Sequence, residues 1–225
     1  MPITIAYCPS TTEVTFKEDK LVYGALDDLR QACNAEIHIN NGKANLGRLD
    51  TKGGRLYVVG HGHSGKGIGA HHHETAGAHR LVRQLLKEGM PKTPSNQILI
   101  HLHACATGAS VRRDYHFVHR VPYVVRFCSA LVEEGCSNFK VVSYAGFVNN
   151  IGKVSLKYDV NNESKRTFNQ GAVHSGLTLD DEALVVYDVI DGDFNKIHGG
   201  NWTQQVSHKW ESWWPETYFE IHKVV

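Results

Sequence analysis

Short apolar runs along this chain alternate with segments in which apolar residues recur every three or four positions. The first pattern predicts buried strands, and the second predicts amphipathic helices. Strands are predicted at residues 3–7, 37–39, 55–59, 98–103, 139–145 and 183–189, and helices at residues 21–35, 75–88 and 123–134. Strands that alternate with helices are typical of parallel sheets. The sequence therefore predicts an α/β fold with a mostly parallel central sheet flanked by helices.

The pattern changes after residue 152. Val154, Leu156 and Tyr158 alternate with polar residues and an Asn-rich loop follows, which predicts a β-hairpin with one solvent-exposed face. All four tryptophans come after residue 195, at Trp202, Trp210, Trp213 and Trp214. We predict one domain over residues 1–225, with a core that ends near residue 190 and a Trp-rich carboxyl-terminal extension over residues 191–225.

Composition narrows the class of protein. The 225 residues are 41% hydrophobic, which is enough for one substantial core. The formal net charge is +1 and no long basic run occurs, which argues against a dedicated nucleic-acid-binding protein. No apolar run approaches the ~20 residues that span a bilayer, and the amino terminus lacks the pattern of a signal peptide. The five cysteines do not show the spacing of a disulfide framework, so we expect free thiols. We also expect the protein to be soluble and monomeric.

Two predicted strands are each followed by a reactive residue. His61 and Gly62 follow the strand at residues 55–59, within a segment at residues 60–69 that has five glycines and is predicted to be a loop. Cys105 follows the strand at residues 98–103. Cys105 follows His61 by 44 positions, which suffices for one helical crossover, and the carboxyl ends of parallel strands meet at one edge of a sheet. We therefore predict a thiol beside an imidazole, the pair that activates a cysteine nucleophile.

These blocks resemble those of the caspase-like cysteine peptidases, the group of caspases, legumain, gingipains and clostripain. In that group, His-Gly and Ala-Cys each follow a hydrophobic strand. The most similar branch is the autoprocessing cysteine protease domains of bacterial toxins, which have a Val-Val-Gly-His-Gly block, here residues 58–62, and a β-flap hairpin, here near residues 152–156. The resemblance covers about residues 55–160. His103 stands where caspases have glutamine, so aspartate specificity is not implied.

The resemblance implies a cysteine endopeptidase with a protein or peptide substrate. Cys105 would attack the peptide carbonyl as a thiolate, and His61 would stabilise the thiolate and protonate the leaving amine. The backbone N–H groups of Gly62 and Cys105 would form the oxyanion hole. The substrate would lie beside the strand that follows the cysteine strand, which makes candidate substrate-binding residues of three positions, Ser143, Tyr144 and Ala145.

The toxin branch implies three further features. An upstream acidic residue helps to orient the histidine there, and Asp50 lies in the corresponding direction along this chain. Inositol hexakisphosphate activates that branch at a basic site against the flap, and basic residues here lie on and around the predicted hairpin, at Lys140, Lys153, Lys157, Lys165 and Arg166. The resemblance also implies a bacterial effector or toxin-like protease, located in the bacterial cytoplasm or delivered to a host cell without a signal peptide.

Two other functions remain open from the residues alone. A metal-dependent hydrolase could use the histidine cluster as a zinc site, with ligands drawn from His61, His63, His71, His72, His73, His101, His103 and Cys105. No standard metal-ligand spacing is present, so we predict no required cofactor, and we expect at least one of the two strand histidines to be a core residue. A non-catalytic binding module on the same scaffold is the second alternative.

Overall fold

The computed structural model describes residues 2–9, 20–39, 44–63, 67–71, 74–105, 107–113, 118–145, 147–148, 153–155, 157–159, 167–169, 184–206 and 218–224. These residues include a 3-10 helix at Leu46–Leu49 and the α-helices α1 (Lys20–Cys33), α2 (Ala78–Lys87) and α3 (Tyr123–Glu133). Their strands are β1 (Thr4–Cys8), β2 (Glu36–Ile39), β3 (Arg55–Val59), β4 (His61–His63), β5 (Gly67–His71), β6 (Glu74–Ala76), β7 (Ile98–His103), β8 (Ser110–Arg113), β9 (Val118–Arg120), β10 (Phe139–Tyr144), β11 (Phe147–Val148), β12 (Lys153–Ser155), β13 (Lys157–Asp159), β14 (Thr167–Asn169), β15 (Leu184–Ile190), β16 (Asp193–His198), β17 (Asn201–Val206) and β18 (Tyr218–Val224).

The main sheet has seven strands in the order β16-β15-β10-β7-β3-β1-β2. The five strands from β10 to β2 run parallel to one another, and β15 runs antiparallel both to β10 and to β16. The helices connect the parallel strands in sequence, as a parallel sheet requires. The prediction of an α/β fold with a mostly parallel central sheet flanked by helices is confirmed. None of the described helices is long and apolar enough to cross a membrane.

Helices cover both faces of this sheet. On one face, Leu81, Val82 and Leu85 of α2 pack in a cluster with residues of α3. On the other face, Val22 and Leu26 of α1 pack in a second cluster. The central strands β1, β3, β7 and β10 are almost fully buried. Continuous apolar strands of this kind are expected where both faces of a sheet are covered.

The glycine-rich segment at residues 60–69 is not simply a loop, and that prediction is wrong. Strands β4, β5 and β6 form a small antiparallel sheet in the order β4-β5-β6. Its glycines allow close approach of neighbouring backbones, because a Cβ atom at Gly67 would lie 2.1 Å from the Ala76 carbonyl oxygen. Such strands lack the branched and aromatic side chains that mark strands in a sequence.

Several strands after Ala145 belong to two further sheets. Strand β12 pairs antiparallel with β11 and β14, whereas β13 pairs with β18 in a five-stranded sheet of order β13-β18-β17-β8-β9. The predicted hairpin at residues 153–159 is thus divided between two sheets. Within the predicted carboxyl-terminal extension, β16 pairs with β15 of the main sheet and β17 pairs with β8. Trp210, Trp213 and Trp214 lie outside the described residues.

Candidate active site

Strands β3 and β7 are direct neighbours in the sheet, as the sequence predicts. They pair in parallel from Arg55 with Leu99 to Val59 with His103. The contact continues one residue further, because the Gly60 N–H donates to the His103 carbonyl oxygen over 3.4 Å. His61 and Cys105 each follow the last paired residue of their strand by two positions. His61 and Cys105 therefore lie at the same edge of the sheet, each two positions beyond the last paired residue of its strand.

Beyond the sheet, the backbone at Gly62 lies directly against the peptide that joins Ala104 to Cys105. A Cβ atom at position 62 would lie 2.2 Å from the Cys105 carbonyl oxygen, 2.4 Å from the Cys105 nitrogen and 2.8 Å from the Ala104 carbonyl carbon. Consecutive Cα atoms are about 3.8 Å apart, so the His61 side chain begins one residue away from this contact. His61 and Cys105 are both partly exposed. The structure brings the backbone of the His61–Gly62 segment against the backbone of Cys105.

A tight turn separates Cys105 from β7. The Ala104 N–H donates to the Leu102 carbonyl oxygen over 2.8 Å, which bends the chain away from the strand direction. The Thr107 hydroxyl then lies 3.3 Å from the Ala104 carbonyl oxygen, and the Gly108 N–H donates to the Tyr144 carbonyl oxygen over 2.9 Å. The cysteine is thus held between the end of one strand and the end of the next strand in the sheet.

The five cysteines differ in how deeply they are buried. Cys8, Cys128 and Cys136 are buried, whereas Cys33 and Cys105 are partly exposed. Burial raises the pKa of the Cys136 thiol to about 11 and also raises the pKa of the Cys128 thiol. Burial also raises the pKa of Cys33. Since the thiolate is the nucleophile, these environments suppress the reactivity of Cys33, Cys128 and Cys136 at neutral pH.

The three predicted substrate-binding residues lie at the end of β10 and are fully buried. The Ser143 hydroxyl donates to the Val185 carbonyl oxygen over 3.0 Å, and β15 pairs with Ser143 and Tyr144 along one side. On the other side, the Tyr144 backbone contacts the segment after Cys105. The end of β10 thus lies between β15 and the segment after Cys105. Direct contact of Ser143, Tyr144 or Ala145 with a substrate stays a prediction.

The two strand histidines lie in the core on the α1 face of the sheet. His101 and His103 are 2% and 4% exposed. The His101 ring stacks on Tyr57 with a centroid separation of 4.4 Å, and its Nδ1 lies 3.4 Å from the Tyr144 hydroxyl. His103 makes edge contacts with the rings of Tyr57 and Tyr144. The expectation of a core histidine is confirmed. His101 and His103, two of the candidate zinc ligands, are packed against the rings of Tyr57 and Tyr144.

Asp50 lies at the opposite end of the sheet from His61. Its carboxylate accepts hydrogen bonds from the Ser95 and Asn96 N–H groups, each over 3.0 Å, just before β7 begins. These bonds lower the pKa of Asp50. The rise of a strand is about 3.3 Å per residue, so β3 separates Asp50 from His61 by roughly 20 Å. The suggestion that Asp50 orients the histidine is wrong, because this carboxylate stabilises a turn.

Three of the predicted polyphosphate-binding residues lie in strands that the structure describes. Lys140 is in the main sheet, where its Nζ lies 3.8 Å from Asp188 Oδ1, while Lys153 and Lys157 belong to the two other sheets described above. Lys165 and Arg166 lie outside the described residues, as do His72 and His73. Activation by inositol hexakisphosphate stays a prediction. Among the described residues, no group of three or more His, Cys, Asp or Glu side chains is arranged to hold a metal ion.

Sequence reasoning missed Thr107. Its side chain is fully buried and contacts both the end of β7 and the end of β10. The sequence does contain a signal for this residue, because Thr107 is a polar residue two positions after Cys105 among small, apolar residues. A buried hydroxyl requires hydrogen-bond partners, and the nearest polar groups belong to the cysteine loop.

Comparisons with known proteins add no assignment. The chain has no match among models of known protein families and no significant match among curated protein sequences.

Proposed function

We propose that this protein is a cysteine endopeptidase of the caspase-like type, in which His61 and Cys105 form the catalytic dyad. The observation that carries the proposal is the contact between Gly62 and the Ala104–Cys105 peptide. This contact brings the residue after His61 against the residue that bears the thiol. Both side chains are partly exposed at the carboxyl edge of a parallel sheet, the edge where ligands bind in α/β proteins.

The proposed reaction has two steps. The Cys105 thiolate attacks the carbonyl carbon of a peptide bond, and the resulting tetrahedral oxyanion collapses to a thioester as the C–N bond breaks. His61 in its protonated form gives a proton to the leaving amine. Water then attacks the thioester with His61 as general base, which releases the acid product and restores the thiol. The N–H of Cys105, together with that of Gly62, is proposed to stabilise the oxyanion.

An activated ester tests this chemistry without knowledge of the peptide substrate. Attack on p-nitrophenyl acetate transfers one acetyl group to the thiol and releases p-nitrophenolate. We expect intact-mass analysis and peptide mapping of the wild-type protein to show acetylation at Cys105. His61→Ala should slow this acylation by about 10-fold or more at pH 7, because p-nitrophenolate leaves without a proton and His61 acts on this ester only by stabilising the Cys105 thiolate. Acetylation of Cys105 at equal rates in both proteins would contradict the proposed dyad.

Peptidase activity is then tested on a mixture of unfolded proteins. The wild-type chain should generate new peptide termini with a shared sequence pattern, and Cys105→Ala should generate none. The assay is run with and without inositol hexakisphosphate, because the resemblance implies that activator. An acylated cysteine with no peptide cleavage under either condition would contradict the endopeptidase activity while leaving the dyad in place.

A further inference from the structure

We infer that Thr107 is a positioning residue that orients the proposed oxyanion-hole donor, the N–H of Cys105, through the carbonyl group of Ala104. The inference rests on the proposed function. Thr107 does not touch the reacting atoms. It acts through the single peptide unit that joins Ala104 to Cys105.

The Thr107 hydroxyl is held in the interior by three neighbours. It is 0% exposed and lies 3.3 Å from the Ala104 carbonyl oxygen and 3.5 Å from the Leu102 carbonyl oxygen. The Tyr144 N–H donates to it over 3.4 Å. A hydroxyl has one proton to donate and lone pairs that accept. Its proton is therefore directed to the carbonyls at the end of β7, and its lone pair faces β10.

Because the peptide bond is planar, the hydrogen bond from Thr107 to the Ala104 carbonyl oxygen also sets the direction of the Cys105 N–H. In a trans peptide, the C=O and N–H groups of one unit lie in a common plane and point in opposite directions. The Ala104 carbonyl and the Cys105 N–H belong to the same unit. A hydroxyl that holds the Ala104 oxygen on the Thr107 side therefore directs the Cys105 N–H to the other side of the peptide.

Two packed elements fix the position of Thr107 itself. The Val124 N–H in the first turn of α3 donates to the Thr107 carbonyl oxygen over 2.9 Å. The neighbouring Tyr123 hydroxyl donates to the Ala76 carbonyl oxygen over 3.1 Å, which ties α3 to the small sheet that contains Gly62. Gly62 limits movement of the Ala104–Cys105 peptide directly. The proposed oxyanion donor is thus fixed by Thr107 and Gly62 together.

The test compares two reactions of the same thiol. Alkylation by iodoacetamide is a displacement at carbon that forms no oxyanion, whereas acylation by p-nitrophenyl acetate passes through one. In Thr107→Val and Thr107→Ala, which differ in volume but both lack the hydroxyl, we expect acylation of Cys105 to fall by about 10- to 100-fold. This is less than the ~100- to 1,000-fold typical of a removed donor, because the N–H remains and only its direction is lost. Alkylation should stay within about 2-fold, since thiol reactivity depends on thiolate character rather than on the oxyanion hole.

Thr107→Ser is the matched control, because it keeps the hydroxyl, and its acylation should stay within about 3-fold of wild type. Circular dichroism and urea unfolding establish that each variant is folded. Equal losses of acylation and alkylation in the folded variants would overturn the inference, and so would an unchanged acylation rate. Failure of both hydroxyl-free variants to fold would identify Thr107 as a purely structural residue and would overturn it as well. Failure of wild-type Cys105 to be acylated would instead overturn the proposed function.

Discussion

Gly62 and Cys105 are in backbone contact, and position 62 has no room for a side chain. The nearest atoms to a Cβ there would be the Cys105 carbonyl oxygen at 2.2 Å and the Cys105 nitrogen at 2.4 Å. Both atoms belong to the backbone, so they cannot move aside as a flexible side chain would. The contact fixes how closely the segment with His61 approaches the segment with Cys105.

Gly62→Ala should therefore separate the two segments and reduce acylation of Cys105 by p-nitrophenyl acetate by at least about 100-fold, as expected when an oxyanion donor is displaced. The control is Gly77→Ala, because a Cβ atom at Gly77 meets nothing within 4 Å. The acylation rate of the control should match wild type. Equal rates in all three proteins would show that the contact is not needed for the chemistry.

The five cysteines should differ in reactivity in the folded protein. At pH 7 we expect iodoacetamide to modify Cys105 first and Cys33 more slowly, because burial raises the pKa of Cys33. The buried thiols Cys8, Cys128 and Cys136 should react only after unfolding in urea. Peptide mapping after timed labelling measures this order. Labelling of Cys33 before Cys105 would contradict the site as described.

Asp50→Asn should reduce stability without affecting Cys105. The hydrogen bonds from the Ser95 and Asn96 N–H groups lower the pKa of Asp50 below its unfolded value of about 3.9. The carboxylate therefore stabilises the fold above pH ~4, and this contribution is lost as the pH falls through the lowered pKa. The difference in Tm between wild type and Asp50→Asn should be largest near neutral pH and should shrink below pH ~4. Acylation of Cys105 at pH 7 should be unchanged. A large loss of acylation would contradict the conclusion that Asp50 plays no part in the site.

His101→Ala should destabilise the fold substantially. The substitution removes a buried ring that stacks on Tyr57 and lies 3.4 Å from the Tyr144 hydroxyl. Loss of a large buried side chain costs about 2–5 kcal/mol, and we expect a value in that range from urea unfolding. The matched control is His79→Ala, whose exposed ring pairs with Glu133 over 2.8 Å, and it should cost no more than about 1 kcal/mol. Similar losses for both histidines would contradict the core position of His101.

The sequence predicted those parts of the fold that local patterns encode. The strands at Arg55–Val59 and Ile98–His103 agree with their predicted bounds, because each is a short, largely apolar run with a clear end. The pairing of these strands followed from the length of the crossover between them. Gly89 follows the last turn of α2, and its φ of +93° is the left-handed conformation that favours glycine there.

Features that depend on distant parts of the chain were not predictable in the same way. The burial of Ser143 depends on β15, which lies about forty residues further along and pairs with β10 in the antiparallel direction. The small sheet that contains Gly62 is formed by glycine-rich strands with no alternating pattern. Asp50 precedes His61 in sequence, but β3 lies between them and places the two residues at opposite ends of the sheet.

The most direct test of the central claim is the pH dependence of Cys105 alkylation in wild type, His61→Ala and the control His79→Ala, followed by intact mass and peptide mapping. If His61 activates the thiol, Cys105 in the wild type and in the control will react rapidly well below pH 8. The His61→Ala protein will then require the higher pH of an ordinary thiol. A Cys105 that follows the same profile in all three proteins would contradict the dyad.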